Sequence, residues 1–158
     1  MDNKQELWNE VLKELDLFIS KNTDKNEIYK HAIDIMAKLL PHFNWTGLYF
    51  LDGGVLRLFD YYIGKPTEHT KINVGQGVCG TAVAENHDII VDDVLKLDNY
   101  LACSVETRSE IVVLIRNPDN NEIIGQIDVD SDNVEAFDET DKINMQKVAE
   151  RLGKVSIR

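Results

Sequence analysis

The chain has 158 residues, 43% of them hydrophobic and 28% charged, with a formal net charge of −11. This suits one packed domain spanning residues 1–158, and it argues against nonspecific nucleic-acid binding and against attachment to anionic membranes. No stretch approaches the roughly 20 apolar residues of a membrane-spanning helix, and the start, MDNKQELWNE, lacks the basic head and apolar core of a secretory signal, so the expected compartment is the cytoplasm.

In chain order, residues 1–20 predict a first helix, with Leu7, Trp8, Val11, Leu12, Leu15, Phe18 and Ile19 on one stripe. A second helix is predicted over 24–41, opened by Asp24 and Glu27 in a capping arrangement and closed near Pro41. The period then changes to that of strands. NWTGLYFL (44–51) and VLRLFDYYI (55–63) flank Asp52-Gly53-Gly54 and predict a hairpin, followed by a short strand near Thr70–Val74. The glycine-rich VGQGVCGTAVAEN opens a short helix around 78–85, and DIIV (88–91) predicts a buried strand. Residues 92–108 form the longest irregular stretch, a place where function concentrates. EIVVLIR (110–116) and EIIGQIDVD (122–130) predict a second hairpin. A last helix over 138–155 carries Ile143, Val148, Leu152 and Val155. The sheet and its loops thus occupy 44–131, and the expected class is α+β: a mainly antiparallel sheet of about six strands with helices packed on it.

The second hairpin carries chemistry. Asp128 and Asp130 are two apart on one strand and project from one face, and a turn centred near 119–120 sets Glu110 opposite one or the other. On an ordinary antiparallel sheet such acids lie on a solvated face. Here Val112 and Leu114 share the face of Glu110, so it is not plainly polar. Carboxyls crowded in partial burial raise at least one pKa, giving a proton donor near neutral pH; the same cluster could hold a substrate ammonium or a divalent cation.

The two cysteines, Cys79 and Cys103, form no CxxC, and His31, His42, His69 and His87 show no metal-ligand spacing, so neither a structural zinc site nor any cofactor is expected. Cys79 follows Gly75-Gln76-Gly77 near a helix N-terminus, where the dipole lowers a thiol pKa; equally, GVCG serves tight packing. Cys103 sits among Ser104, Glu106, Thr107 and Arg108, one loop before Glu110. On the first hairpin, Trp45 and Tyr49 share a face with Gly47, which would leave room above the sheet for a ligand; with Tyr61 and Tyr62 they form either a pocket wall or core.

Six blocks together, NWTGLYF, IGKP, GQGVCGTA, VDDV, LACSVETRSEIVV and IIGQIDVDS, resemble the GAF-domain free methionine-(R)-sulfoxide reductases. The resemblance implies that Cys103 attacks the substrate sulfur, that Glu110, Asp128 and Asp130 bind substrate and assist protonation, and that Trp45 lines the pocket for the methyl–sulfur end. It implies further that free methionine sulfoxide is the substrate, a thioredoxin-type protein the reductant and a homodimer the assembly. The chain departs from the family at Glu68, where a third, resolving cysteine is usual. Cys79 or an external thiol would then resolve the Cys103 sulfenic acid. Two other functions fit the same residues: a noncatalytic GAF binding or sensor module, and a Cys79–Cys103 redox sensor.

Overall fold

The structure is a computed structural model and describes residues 3–98 and 105–158. Helices α1 (Asn3–Lys21) and α2 (Lys25–Leu39) come first. They are followed by β1 (Trp45–Asp52), β2 (Val55–Leu58), β3 (Lys71–Asn73), α3 (Gly77–Glu85) and β4 (Ile89–Val91). A single 3-10 turn (Val94–Lys96), β5 (Ser109–Arg116), β6 (Ile123–Ser131) and α4 (Glu139–Ser156) complete the chain. The six strands form one sheet in the order β3-β2-β1-β6-β5-β4, and every neighbouring pair is antiparallel. The α+β class and six-stranded sheet expected from the sequence are those observed.

The two-residue period of the strands sorts the sheet into two interiors. Leu48, Ile111, Val113, Ile115, Ile127 and Val129 point to one side and pack with Trp8, Ile33 and Leu152 of α1, α2 and α4. Each such side chain contributes about 1.5–3 kcal/mol by leaving water. Trp45, Tyr49, Val112 and Leu114 point to the other side, where they meet Val78, Cys79 and Ala82 of α3. The thicker helical layer makes one face a plain hydrophobic core. The thinner cover on the other face leaves room for polar groups.

The capping chemistry differs from expectation at α2 and is stronger at α4. Asp24 accepts hydrogen bonds from the backbone N–H groups of Asn26 (2.9 Å) and Glu27 (3.3 Å), capping α2 from one side only. At α4 the box is reciprocal: Asp141 N–H donates to Asp138 Oδ1 (3.1 Å), and Asp138 N–H donates to Asp141 Oδ2 (3.2 Å). The fully buried Asp141 also accepts from Trp8 Nε1 (3.0 Å), Lys4 Nζ (2.8 Å) and His42 Nε2 (3.0 Å), fastening α1 and the turn after α2 to the start of α4. Ile143, expected on the buried stripe of α4, is 46% exposed; Met145 takes the inward position.

The second strand ends at Leu58 rather than at Ile63. Three steps along β1, from Tyr49 to Thr46, match five along the other chain, from Leu58 to Ile63, where pairing resumes as a single bridge. The two surplus residues loop out. The cause lies in consecutive tyrosines that serve opposite faces: Tyr61 Oη donates to Asp34 of α2, while the Tyr62 ring lies against Trp45.

Candidate active site

The β5–β6 register decides where the acids stand. Glu110 pairs directly with Asp130, and Asp130 in turn pairs with Trp45 of β1, so the three side chains lie in one row across the sheet. The next row on the same face holds Val112, Asp128 and Gly47. The structure therefore brings together all three carboxylates read from the sequence. It also buries them: Glu110 is 3% exposed, and Asp128 and Asp130 are each 1% exposed. They line a buried interior and not a solvated sheet face.

Burial and mutual repulsion set their protonation. Glu110 is pushed well above the ordinary carboxyl range, first by burial and then by the charges of Asp128 and Asp130. Asp128 is also raised by burial, while the neighbouring Glu110 carboxyl and Cys79 thiol pull it back down. Of these two acids, Glu110 is the more strongly held in its protonated form. Beyond the bonds that join Glu110, Asp128 and Cys79 to one another, neither oxygen of Asp128 nor Oε1 of Glu110 has a hydrogen-bond partner among the described residues.

Helix α3 lays its first turn over this cluster. Cys79 is 5% exposed, and its Sγ stands 3.9 Å from Oε2 of Glu110. The small residue that tight packing demands in GVCG is Gly80, since a Cβ there would come within 2.4 Å of the Asn73 carbonyl. Cys79 is therefore in contact with the acids as well as with the α3 core, and packing alone does not account for the motif. Gln126, two residues before Asp128 on the same face, holds α3 in place by donating Nε2 to the Cys79 carbonyl (3.0 Å). The sequence reading passed over Gln126, although its period-two spacing with Asp128 and Asp130 was the available signal.

Trp45 is held differently from what the sequence suggested. The space above Gly47 is filled by the Trp45 indole itself: a Cβ on Gly47 would lie 2.6 Å from Cη2. Gly64, at φ +126°, flanks the same ring; a Cβ there would lie 2.6 Å from Cδ1. Tyr62 covers the indole at 5.2 Å between centroids, and Nε1 donates to the Lys65 carbonyl (3.1 Å). Tyr49 is fully buried on the same face, and its hydroxyl donates to the His69 carbonyl (2.7 Å), anchoring the loop that carries Glu68. Glu68 itself is exposed.

A cavity of about 310 Å³ opens beside this row, bordered by Trp45, Gly64, Lys65, Thr107 and Asp130. That volume falls at the small end of the ~300–1,000 Å³ usual for small-molecule sites. Lys65, on its border, pairs with Glu106, and Arg108 reaches Asp93 (3.4 Å). Cys103 lies outside the described residues. The chain on its C-terminal side is fixed by Arg108, whose N–H donates to the Ser131 carbonyl (2.8 Å) and whose carbonyl accepts from Val94 (2.8 Å). A larger groove of about 850 Å³, bordered by Arg116, Lys142 and Lys154, holds neither described thiol nor buried acid.

No family model matches the chain. Its sequence is 34% identical over 154 residues to the Bacillus subtilis protein YtsP, covering 96% of this chain and 92% of that protein. It is 31% identical over 153 residues to the free methionine-R-sulfoxide reductase of Escherichia coli, covering 97% and 90% respectively. The chain belongs to the free methionine-R-sulfoxide reductase family of GAF domains. The family's fold agrees with the architecture above: the crystal structure of the Neisseria meningitidis free methionine-R-sulfoxide reductase, in complex with its substrate, superposes with a TM-score of 0.90 at 30% identity, covering 98% of this chain and 91% of that one.

Proposed function

We propose that the protein reduces free L-methionine-(R)-sulfoxide to methionine, with Cys103 as nucleophile. The observation that carries this reading is the directly paired, buried Glu110 and Asp130 beside Trp45, on the sheet face next to the cavity. A sulfoxide sulfur is electrophilic, but its oxygen leaves only once protonated. Glu110, whose pKa burial and the neighbouring acids push well above the ordinary carboxyl range, is suited to supply it. The thiolate attacks the protonated sulfoxide sulfur; the hydroxyl then passes from that sulfur to Cys103 as the bond between the two sulfurs breaks and returns its electron pair to methionine, leaving methionine and a Cys103 sulfenic acid. A second thiol displaces that hydroxyl as water and leaves a disulfide, which a dithiol reductant reopens by taking up the oxidation. The remaining carboxylates, Asp128 and Asp130, suit the substrate ammonium, a group that methionine sulfoxide inside a peptide chain lacks.

Cys79 is the internal candidate for the second thiol, and a thioredoxin-type protein or a small thiol the external one. Turnover with dithiothreitol should be seen with free methionine sulfoxide and not with the same residue inside a peptide. Equal rates on both would overturn the reading. A second reading, binding without turnover, draws on Glu68 standing where the family usually has a resolving cysteine; it predicts retained ligand affinity with no product.

A further inference from the structure

Between the first turn of α3 and the sheet lies a second, much smaller cavity of about 10 Å³, bordered by Cys79, Glu110 and Asp128 among others. Roughly one water or one ion fills such a space. The donors around it are dense. One atom each from Cys79, Glu110 and Asp128 lie within 4.8 Å of one another. All three side chains are at least nine-tenths buried. Beyond the bonds that join Glu110, Asp128 and Cys79 to one another, both Asp128 oxygens and Oε1 of Glu110 have no hydrogen-bond partner among the described residues, and Nε2 of the nearby Gln126 donates to the Cys79 carbonyl. Buried carboxylate oxygens without donors are costly, and a cation is one group that satisfies several at once.

We propose that this cavity binds one divalent cation of the zinc class through the Cys79 thiolate, Glu110 and Asp128, and that occupation blocks sulfoxide reduction. The donor set selects the metal. Calcium takes six to eight oxygens and magnesium an octahedron of them, whereas zinc accepts four mixed sulfur and oxygen ligands. Tetrahedral zinc places sulfur and oxygen ligands about 3.6 Å apart, given bond lengths near 2.3 and 2.1 Å; Sγ and Oε2 already stand at 3.9 Å. Three protein ligands leave a fourth position for water. Loading transfers the thiol proton, and any proton on Glu110, to solvent; no electron moves. The blocking half rests on the proposed reaction, because the cation claims the carboxyls that would meet the substrate. The binding half does not.

The test is an anaerobic titration of the reduced protein with Co²⁺, reading the thiolate-to-cobalt charge-transfer absorption. One equivalent should produce the band, and Zn²⁺ should displace it. Cys79→Ser should abolish it, Asp128→Asn should weaken binding at least about tenfold, and Cys103→Ser should keep it. Absence of the band, the same band in Cys79→Ser, or its loss only in Cys103→Ser would overturn the site. In turnover assays, Zn²⁺ should raise the apparent KM for methionine sulfoxide without lowering kcat. A cobalt band with turnover indifferent to Zn²⁺ would uphold the site and overturn the blocking. An inactive enzyme would still give the band, so failure of the reaction and failure of the site are told apart.

Discussion

Glu110 and Asp130 are direct cross-strand partners, each less than 4% exposed, on a sheet face whose neighbours are valine, leucine and tryptophan. Two like-charged groups opposite one another are destabilising in a sheet, and burial enlarges the penalty. The pair is therefore a source of stored strain, relieved by a proton on Glu110.

That strain predicts a trade of stability for function. A carboxyl whose folded pKa is raised stabilises the fold fully below its unfolded pKa. It loses that contribution as pH rises toward the folded value. Glu110→Gln removes the titration, so its unfolding free energy should exceed that of the natural protein at pH 8, by about 1.4 kcal/mol for each pH unit of the shift. Urea denaturation of both proteins at pH 5 and pH 8 checks this; an equal or lower stability of the variant at pH 8 would contradict it.

The same residue should leave a kinetic signature. If Glu110 delivers the proton to the sulfoxide oxygen, kcat/KM falls as pH rises through its elevated pKa. In Glu110→Gln that alkaline limb should vanish and the rate should drop by about 10²–10⁴. An unchanged profile would remove Glu110 from the proton transfer.

At the opposite end of the fold, Asp141 has the reverse dependence. Burial pushes its carboxyl up, but hydrogen bonds from His42, Lys4 and Trp8 outweigh burial and hold it below the ordinary aspartate range. A depressed carboxyl stabilises above the unfolded pKa, and the contribution is lost as pH falls through the folded one. Asp141→Asn should cost about 3–5 kcal/mol at pH 7, because it leaves Lys4 and His42 without their buried partner. The cost should shrink in acid, as measured by chemical denaturation.

Much of this was legible beforehand, and the physics explains which parts. The acid row followed from parity alone: residues two apart on a strand share a face, and the Asn117–Asn121 turn left few registers for Glu110. The Asp141 network was invisible because it joins residues 99 to 137 positions apart, and no local period encodes that. Gly47 misled for a related reason. Its missing side chain does make room, but for the indole two residues earlier, and not for a ligand. The overlong second strand failed where Tyr61 and Tyr62 answer to different layers.

The clamp on Trp45 gives a direct test of its part in the pocket. Gly47→Ala sets a methyl 2.6 Å from the indole and must displace it. Tryptophan fluorescence should shift, and KM for methionine sulfoxide should rise about tenfold or more with a smaller change in kcat. An altered spectrum with unchanged KM would show that the indole does not border the substrate.

Recycling tests Cys79. Cys79→Ser should keep turnover with dithiothreitol but lose at least about tenfold with thioredoxin if the internal disulfide is the usual route. Equal rates with thioredoxin would mean that it attacks the Cys103 sulfenic acid directly.

The central claim is most directly tested by assaying the separated epimers of free methionine sulfoxide with dithiothreitol, using the natural protein and Cys103→Ser. The R epimer should be consumed, the S epimer spared, and both left untouched by the variant. No loss of the R epimer, or equal loss with Cys103→Ser, would contradict the account.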